Sequence, residues 1–105
     1  MEFKVKGKTV ELQFTFNSFR FMEDLDFGIL EEAKRKPFKL ISMTEQMLFG
    51  ALNSDPNKKV SEVEMRKALD AHMKDGNSFL ELYEHLMKLM EESDFFKSLQ
   101  EDETK

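Results

Sequence analysis

Two histidines, His72 and His85, are the first residues to ask about chemistry. Imidazole titrates near neutrality and is a ready metal ligand. A metal needs a second ligand at helical spacing, and neither a His-x-x-x-His nor a Glu-x-x-His pair occurs. His72 falls within the apolar stripe of a predicted helix, where it reads as a core or interface residue. His85 falls at the edge of another stripe and reads as solvated. Carboxylates are plentiful, in Glu23, Asp24 and Asp26 and again in Glu91, Glu92 and Asp94. General acid–base work needs two of them held in a cleft with perturbed pKa values, and these runs read as solvated helix faces. Asp55-Pro56-Asn57 lacks the D-x-D-x-D-G ligand pattern of a calcium loop. Lys6-Gly7-Lys8 lacks the spacing of a phosphate-binding loop, and no serine has a candidate base nearby. Cysteine is absent, which excludes disulfides, zinc thiolates and thiol nucleophiles. The expectation is a protein that is not an enzyme and holds no cofactor or metal.

What remains is apolar. Phe95-Phe96 follows an acidic helix end, and an exposed aromatic pair is costly to leave in water. One reading has one ring closing the core and the other partly exposed; the sharper one makes the pair a docking point for a partner. Eleven Phe and eight Met, against no Trp and one Tyr, suit a core and also suit adaptable binding of helices or unfolded segments. The candidate partner-binding residues are Phe95, Phe96, Met43, Met47 and Phe27. A net charge of −5 argues against nucleic acid, because phosphate contacts need clustered Lys and Arg. The one basic cluster, Lys34-Arg35-Lys36, follows Glu31 and Glu32 and reads as a solvated helix end. No apolar run approaches the roughly 18 residues of a membrane span, and no signal-peptide pattern opens the chain, so no membrane partner is expected.

The elements that must position these residues centre on Leu40 to Ser54, which holds a single charged residue, Glu45, in a chain that is 35% charged. Ser42 and Glu45 have capping-box spacing, which predicts a helix start there. Leu48, Phe49 and Leu52 share one face, and Met43, Met47 and Ala51 form a neighbouring row. An apolar surface that wide predicts a hub, packed on two sides by other elements or by a second subunit.

Residues 1–16 read as a β-hairpin, with Gly7-Lys8 as a type II′ turn. That register sets Val5 opposite Val10, Phe3 opposite Leu12, Met1 opposite Phe14 and Lys4 opposite Glu11. A lone hairpin is marginal in water, so its apolar face must lie on helices or extend a neighbouring sheet. Asn17 or Ser18 is the predicted cap of a short helix carrying Phe19, Met22 and Leu25, with Gly28 as its stop. Phe21 and Phe27 fall off its stripe, and spacing leaves open whether they pack or face water. A charged connector, Ile29 to Lys36, ends at Pro37. After the hub, Asn53 to Lys59 reads as loop. Ser61 with Glu64 makes a second capping box, stapled by Val60 and Met65, before a helix that buries Met65, Ala68 and Leu69 and stops at Gly76. Ser78 with Glu81 starts another helix, whose stripe includes Phe79, Leu82, Leu86 and Met90. The short Asp75-Gly76-Asn77 loop predicts that these two helices form an antiparallel αα-hairpin. The fold class is mainly α (α+β), an N-terminal β-hairpin packed on four to five helices. Residues 1–97 form one domain (1–16 hairpin, 17–97 helical), followed by a disordered polar tail at 98–105.

Three stretches together resemble the tail assembly chaperones of long-tailed phages, especially those of Gram-positive hosts. They are FKVKGKTVELQFTFNSFRFMEDL near the start, VSEVEMRKALDAHMKDG, and LYEHLMKLMEESDFFK near the end. Members of that family open with a Gly-Lys-x-hydrophobic hairpin, here Gly7-Lys8, followed by an F-x-F helix start. They end with a helix running into Ser-x-Phe-Phe, here Ser93 to Phe96. The likeness spans roughly Phe3 to Lys97, and the connector from Ile29 to Lys39 matches least. The resemblance implies binding of the long helical tape-measure protein, keeping it soluble, and recruitment of tail-tube protein around it. It further implies self-association into a homo-oligomer, action in the host cytoplasm and absence from the mature virion. It also implies that this chain is the short form of a pair whose longer member arises by frameshifting. A small helical adaptor or regulator without chaperone activity is the other class the same features fit.

Overall fold

The computed structural model describes residues 1–23 and 39–103. Strands β1 (Glu2–Val5) and β2 (Lys8–Glu11) form the expected antiparallel hairpin. Among the described residues, five helices follow: α1 (Phe16–Glu23), α2 (Lys39–Leu52), α3 (Glu62–Lys74), α4 (Phe79–Glu91) and α5 (Asp94–Glu103). The architecture is the α+β one expected, a hairpin on a helical body.

The hairpin register is shifted by two residues. Phe3 lies opposite Val10, Lys4 opposite Thr9 and Val5 opposite Lys8. The turn is therefore Lys6-Gly7, with φ of 52° and 77°, rather than Gly7-Lys8. Positive φ at both central positions is the type I′ conformation, whose twist matches that of the strands. Glycine supplies the second position freely, and Lys6 carries a left-handed cost of about 1 kcal/mol. A shift of two leaves every side chain on its original face, so Phe3, Val5 and Leu12 are still buried together. The outer face changes partners: Glu2 now lies opposite Glu11, and the Met1 ammonium donates to Glu11 Oε1 at 3.1 Å. The apolar face lies on α3, where the Phe3 ring sits 4.8 Å from that of His72.

Helix α2 is the hub. Every residue from Gln46 to Asn53 is buried, and α1, α3 and α4 all pack against it. It begins at Lys39, so Ser42 lies in its first turn and is not its cap. Glu45, freed from a capping role, meets Arg66 of α3 at 3.3 Å. Enclosing a large apolar side chain such as Leu48 or Met47 contributes about 1.5–3 kcal/mol, so the segment dominates the core.

Helix α1 lies on α2 at Gly50, where a Cβ would meet Met22 Cγ at 2.5 Å and the Ser18 carbonyl oxygen at 2.9 Å. Its cap is Thr15, not Asn17 or Ser18. The Thr15 carbonyl accepts from Phe19 N, Thr15 Oγ1 accepts from Ser18 N, and Ser18 Oγ accepts from Thr15 N. The two residues named by sequence serve the seam instead. Asn17 Nδ2 donates to the Asn53 carbonyl at 2.7 Å, and Ser18 Oγ donates to the Gln13 carbonyl.

Both halves of the Ser61–Glu64 capping box are present, and Gly76 at φ 87° ends α3 as expected. Ser78 caps α4 by accepting from Glu81 N. A short loop joins α3 and α4; α3 packs on both α2 and β1, and α4 packs chiefly on α2. Helix α5 runs on to Glu103, into the stretch expected to be disordered, because its Gln and Glu residues favour a helix once Ser93 has started one. The connector at Ile29 to Lys36 lies outside the described residues.

Candidate functional site

The site is assembled at a joint. Helix α4 ends at Glu91, and Ser93, itself buried, turns the chain into α5. Ser93 Oγ donates to the Met90 carbonyl at 2.6 Å and accepts from Phe96 N at 3.3 Å, closing one helix and starting the next. This fixes the direction in which Phe95 and Phe96 leave the backbone. Phe95 lies between two rings of α1, 5.4 Å from Phe16 in an edge-on arrangement and 4.8 Å from Phe19. Phe14 extends the row, 5.8 Å from Phe19. Offset and edge-to-face contacts at such distances add to the stabilisation from burial alone.

Phe16, Phe19, Phe95 and Phe96 bound an open groove of about 410 Å³ between α1 and the α4–α5 joint, with Met22 and Met90 among its lining residues. Phe16 is 61% exposed at its edge although it touches Phe95. Among the described residues lining it, Arg20 and Glu23 carry the only charges, and neither takes an ion pair. On α1, Phe16, Phe19, Arg20 and Glu23 stand at i, i+3, i+4 and i+7, which is one face of the helix. An apolar slot with a sparse charged margin is shaped to receive apolar surface.

The residues predicted as partner contacts separate. Phe95 and Phe96 line the groove, both half-buried. Met43 is half-buried and packs on the core from α2, away from the groove. Met47 is corrected: at 0% exposure it is enclosed by the elements around the hub and offers nothing to a partner. Phe27 lies outside the described residues. Sequence reasoning missed Phe16, which was assigned to the end of the hairpin; Phe19 and Met90, read as members of helix stripes, pack on the core and also line the groove. The available signal was Thr15-x-x-Ser18, a reciprocal cap that moves Phe16 from the strand to the first position of α1. Phe21, left open by its spacing, packs on Phe49 of the hub at 5.5 Å.

A larger hollow of about 770 Å³ runs between β1 and α3 and is lined by both signs of charge. The Lys6–Glu64 ion pair, at 2.7 Å, closes one end, and that lysine holds the Glu64 carboxyl below its ordinary range, aided by hydrogen bonds from Ser61. His72 sits on Phe3 there, and burial lowers its pKa against a smaller opposing pull from Asp75. Its ring is half-buried, on the core side as expected, while His85 is exposed on α4. Among the described residues no group of three His, Asp or Glu side chains is arranged to hold a metal ion. No helix among them is long and apolar enough to cross a membrane. No protein-family model, curated protein or solved structure matches this chain.

Proposed function

We propose that this chain is a tail assembly chaperone, which holds an apolar helical stretch of the tape-measure protein in the groove between α1 and the α4–α5 joint. The observation that carries the reading is Phe16, a large ring kept mostly in water at the edge of an aromatic slot. Apolar surface left open beside a preformed slot is the feature a helix-in-groove binder needs. An amphipathic guest helix would lay its apolar face on Phe16, Phe19 and Phe95, where aromatic anchors concentrate binding energy. The chain's net charge of −5 keeps the complex soluble while the guest is held. On this reading the protein is not an enzyme; it works in the host cytoplasm during assembly, is left out of the mature virion, and helps bring tail-tube protein to the loaded guest.

Co-expression with the tape-measure protein is the test. The intact chain should move that protein from the pellet to the soluble fraction, and a Phe95→Ala, Phe96→Ala variant that still folds should lose most of the effect. No rescue by the intact chain overturns the reading. If the groove nevertheless bound other apolar helices, the adaptor class would take its place.

A further inference from the structure

The hairpin is a two-stranded sheet, so each strand has one edge with no strand beside it. Leu12 N donates to the Met1 carbonyl at 2.8 Å, which makes Met1 and Leu12 a hydrogen-bonded pair. Such pairs alternate with non-bonded ones along an antiparallel ladder, so Phe3–Val10 and Val5–Lys8 are bonded while Glu2–Glu11 and Lys4–Thr9 are not. The N–H and C=O groups of Thr9 and Glu11 therefore point away from β1, to the free edge of β2. Beside that edge runs a groove of about 560 Å³, whose other wall is the loop at residues 54–60. We propose that this edge and its groove dock an extended, acidic segment of a partner protein, which joins the hairpin as a third strand. No residue lines both this groove and the aromatic slot, so the inference stands apart from the chaperone reading.

Three features point to that occupant. The first is the backbone. A row of polar groups at an exposed edge is a template for a strand, and main-chain hydrogen bonds give such docking its affinity. Among the described residues, no other backbone group bonds to those of Thr9 and Glu11. The second is charge. The acids lining the groove are engaged: Glu64 holds Lys6 at 2.7 Å, Glu11 holds the Met1 ammonium at 3.1 Å, and Asp55 accepts from Asn57 N at 2.9 Å. Among the described residues, Lys8, Lys58 and Lys59 meet no acid in an ion pair. A chain at −5 thus gathers unpaired ammonium groups round one strand edge, and that patch is complementary to carboxylates. The third is the floor. Val10 and Val60 are half-buried and line the groove, where alternate side chains of an added strand would pack. Lysine on an edge strand also deters indiscriminate pairing. It repels a strand that carries lysine of its own and so selects for an acidic one.

Titration of the full chain with a capped peptide of alternating valine and glutamate, followed by amide NMR, tests this. One face of such a strand covers Val10 and Val60 while its carboxylates reach the lysines. Saturable binding is expected, with slowed hydrogen exchange at the Thr9 and Glu11 amides and little change at those of Lys8 and Val10, which β1 already holds. Lys58→Glu combined with Lys59→Glu should weaken binding roughly tenfold. Lys58→Gln with Lys59→Gln takes the place of that pair, with a smaller loss, should the reversals fail a far-UV circular dichroism check for folding. No binding at millimolar peptide overturns the proposal. So does equal binding of a valine–lysine peptide, and so do Thr9 and Glu11 amides that exchange as before or charge reversals that bind like the parent. A single-stranded oligonucleotide that competes on equal terms would assign the patch to phosphate and overturn it as well. Peptide binding by a chain that fails to rescue the tape-measure protein leaves this proposal standing and overturns only the chaperone reading; rescue without peptide binding does the reverse.

Discussion

Helix α1 has two sides that solve opposite problems. The side toward α2 is a closed seam, where Gly50 lets backbone approach backbone and polar groups are matched one to one. The side toward α5 is an open slot of rings with two unengaged charges at its margin. The seam spends its polar residues on fixing position. Asn53 Nδ2 donates to the Phe49 and Val60 carbonyls, its Oδ1 accepts from Val60 N at 2.7 Å, and its own carbonyl accepts from Asn17. Thr15 adds a bond to the Ser54 carbonyl at 2.7 Å. A slot that is to hold a guest helix needs a rigid wall, and the seam supplies one by anchoring α1 from behind.

If that division holds, breaking the seam is the most damaging change available. Asn53→Ala strands the Val60 N–H and removes the donor from two carbonyls, that of Phe49 buried and that of Val60 partly so. Leaving such groups unpaired costs about 3 kcal/mol, which corresponds to a fall of roughly 12–24 °C in Tm. Thermal unfolding followed by circular dichroism measures it. A loss of only a few degrees would mean that apolar burial, and not this polar node, holds α1 in place.

The node was also the part least visible in the chain. Asn53 sits at the start of a stretch whose composition reads as loop, and its partners at Val60 and Asn17 become neighbours only once α2, α1 and the following turn are assembled. The Thr15 cap was missed for another reason: its bonds with Ser18 are local, but the strand alternation was carried on through Phe16. The Ser61 and Ser78 caps are local in sequence and were read correctly. So was the hub, because its lack of charge over a whole helix leaves only a buried place for it. The hairpin was legible in its face but not in its register. Sliding by two residues changes no side chain's environment enough to show in a hydrophobic pattern, and the choice then falls to turn chemistry at Lys6-Gly7. Half of the groove was legible: Phe95 and Phe96 stood out as an apolar pair after acidic residues, while Phe16 was hidden in what looked like strand alternation.

A smaller effect sharpens the seam itself. Gly50→Ala places a methyl against Met22 and the Ser18 carbonyl, and overpacking of that kind costs about 2 kcal/mol. Met22 can move and the carbonyl cannot, so the two contributions separate in a double-mutant cycle. Met22→Ala should be less costly in the Gly50→Ala background than in the parent, with a residual loss left by the backbone contact. Simple additivity, measured by denaturant unfolding, would show that α1 slides freely on α2, and the rigid-wall argument would fail.

The smallest stability effect belongs to the open side, and its smallness is the point. Phe16→Ser removes a ring that is 61% exposed and whose one ring contact, with Phe95, leaves Phe19 still in place against Phe95. Surface substitutions of this kind change stability by less than about 0.5 kcal/mol, and serine at the start of a helix is well tolerated. Association should respond in the other direction, because an aromatic anchor at the edge of a slot contributes more to binding than to folding. The expected pair of results is an unfolding midpoint within a few degrees of the parent and a clear weakening of guest capture. A variant that lost stability as heavily as Asn53→Ala would place Phe16 in the core, and the two sides of α1 would no longer differ in kind.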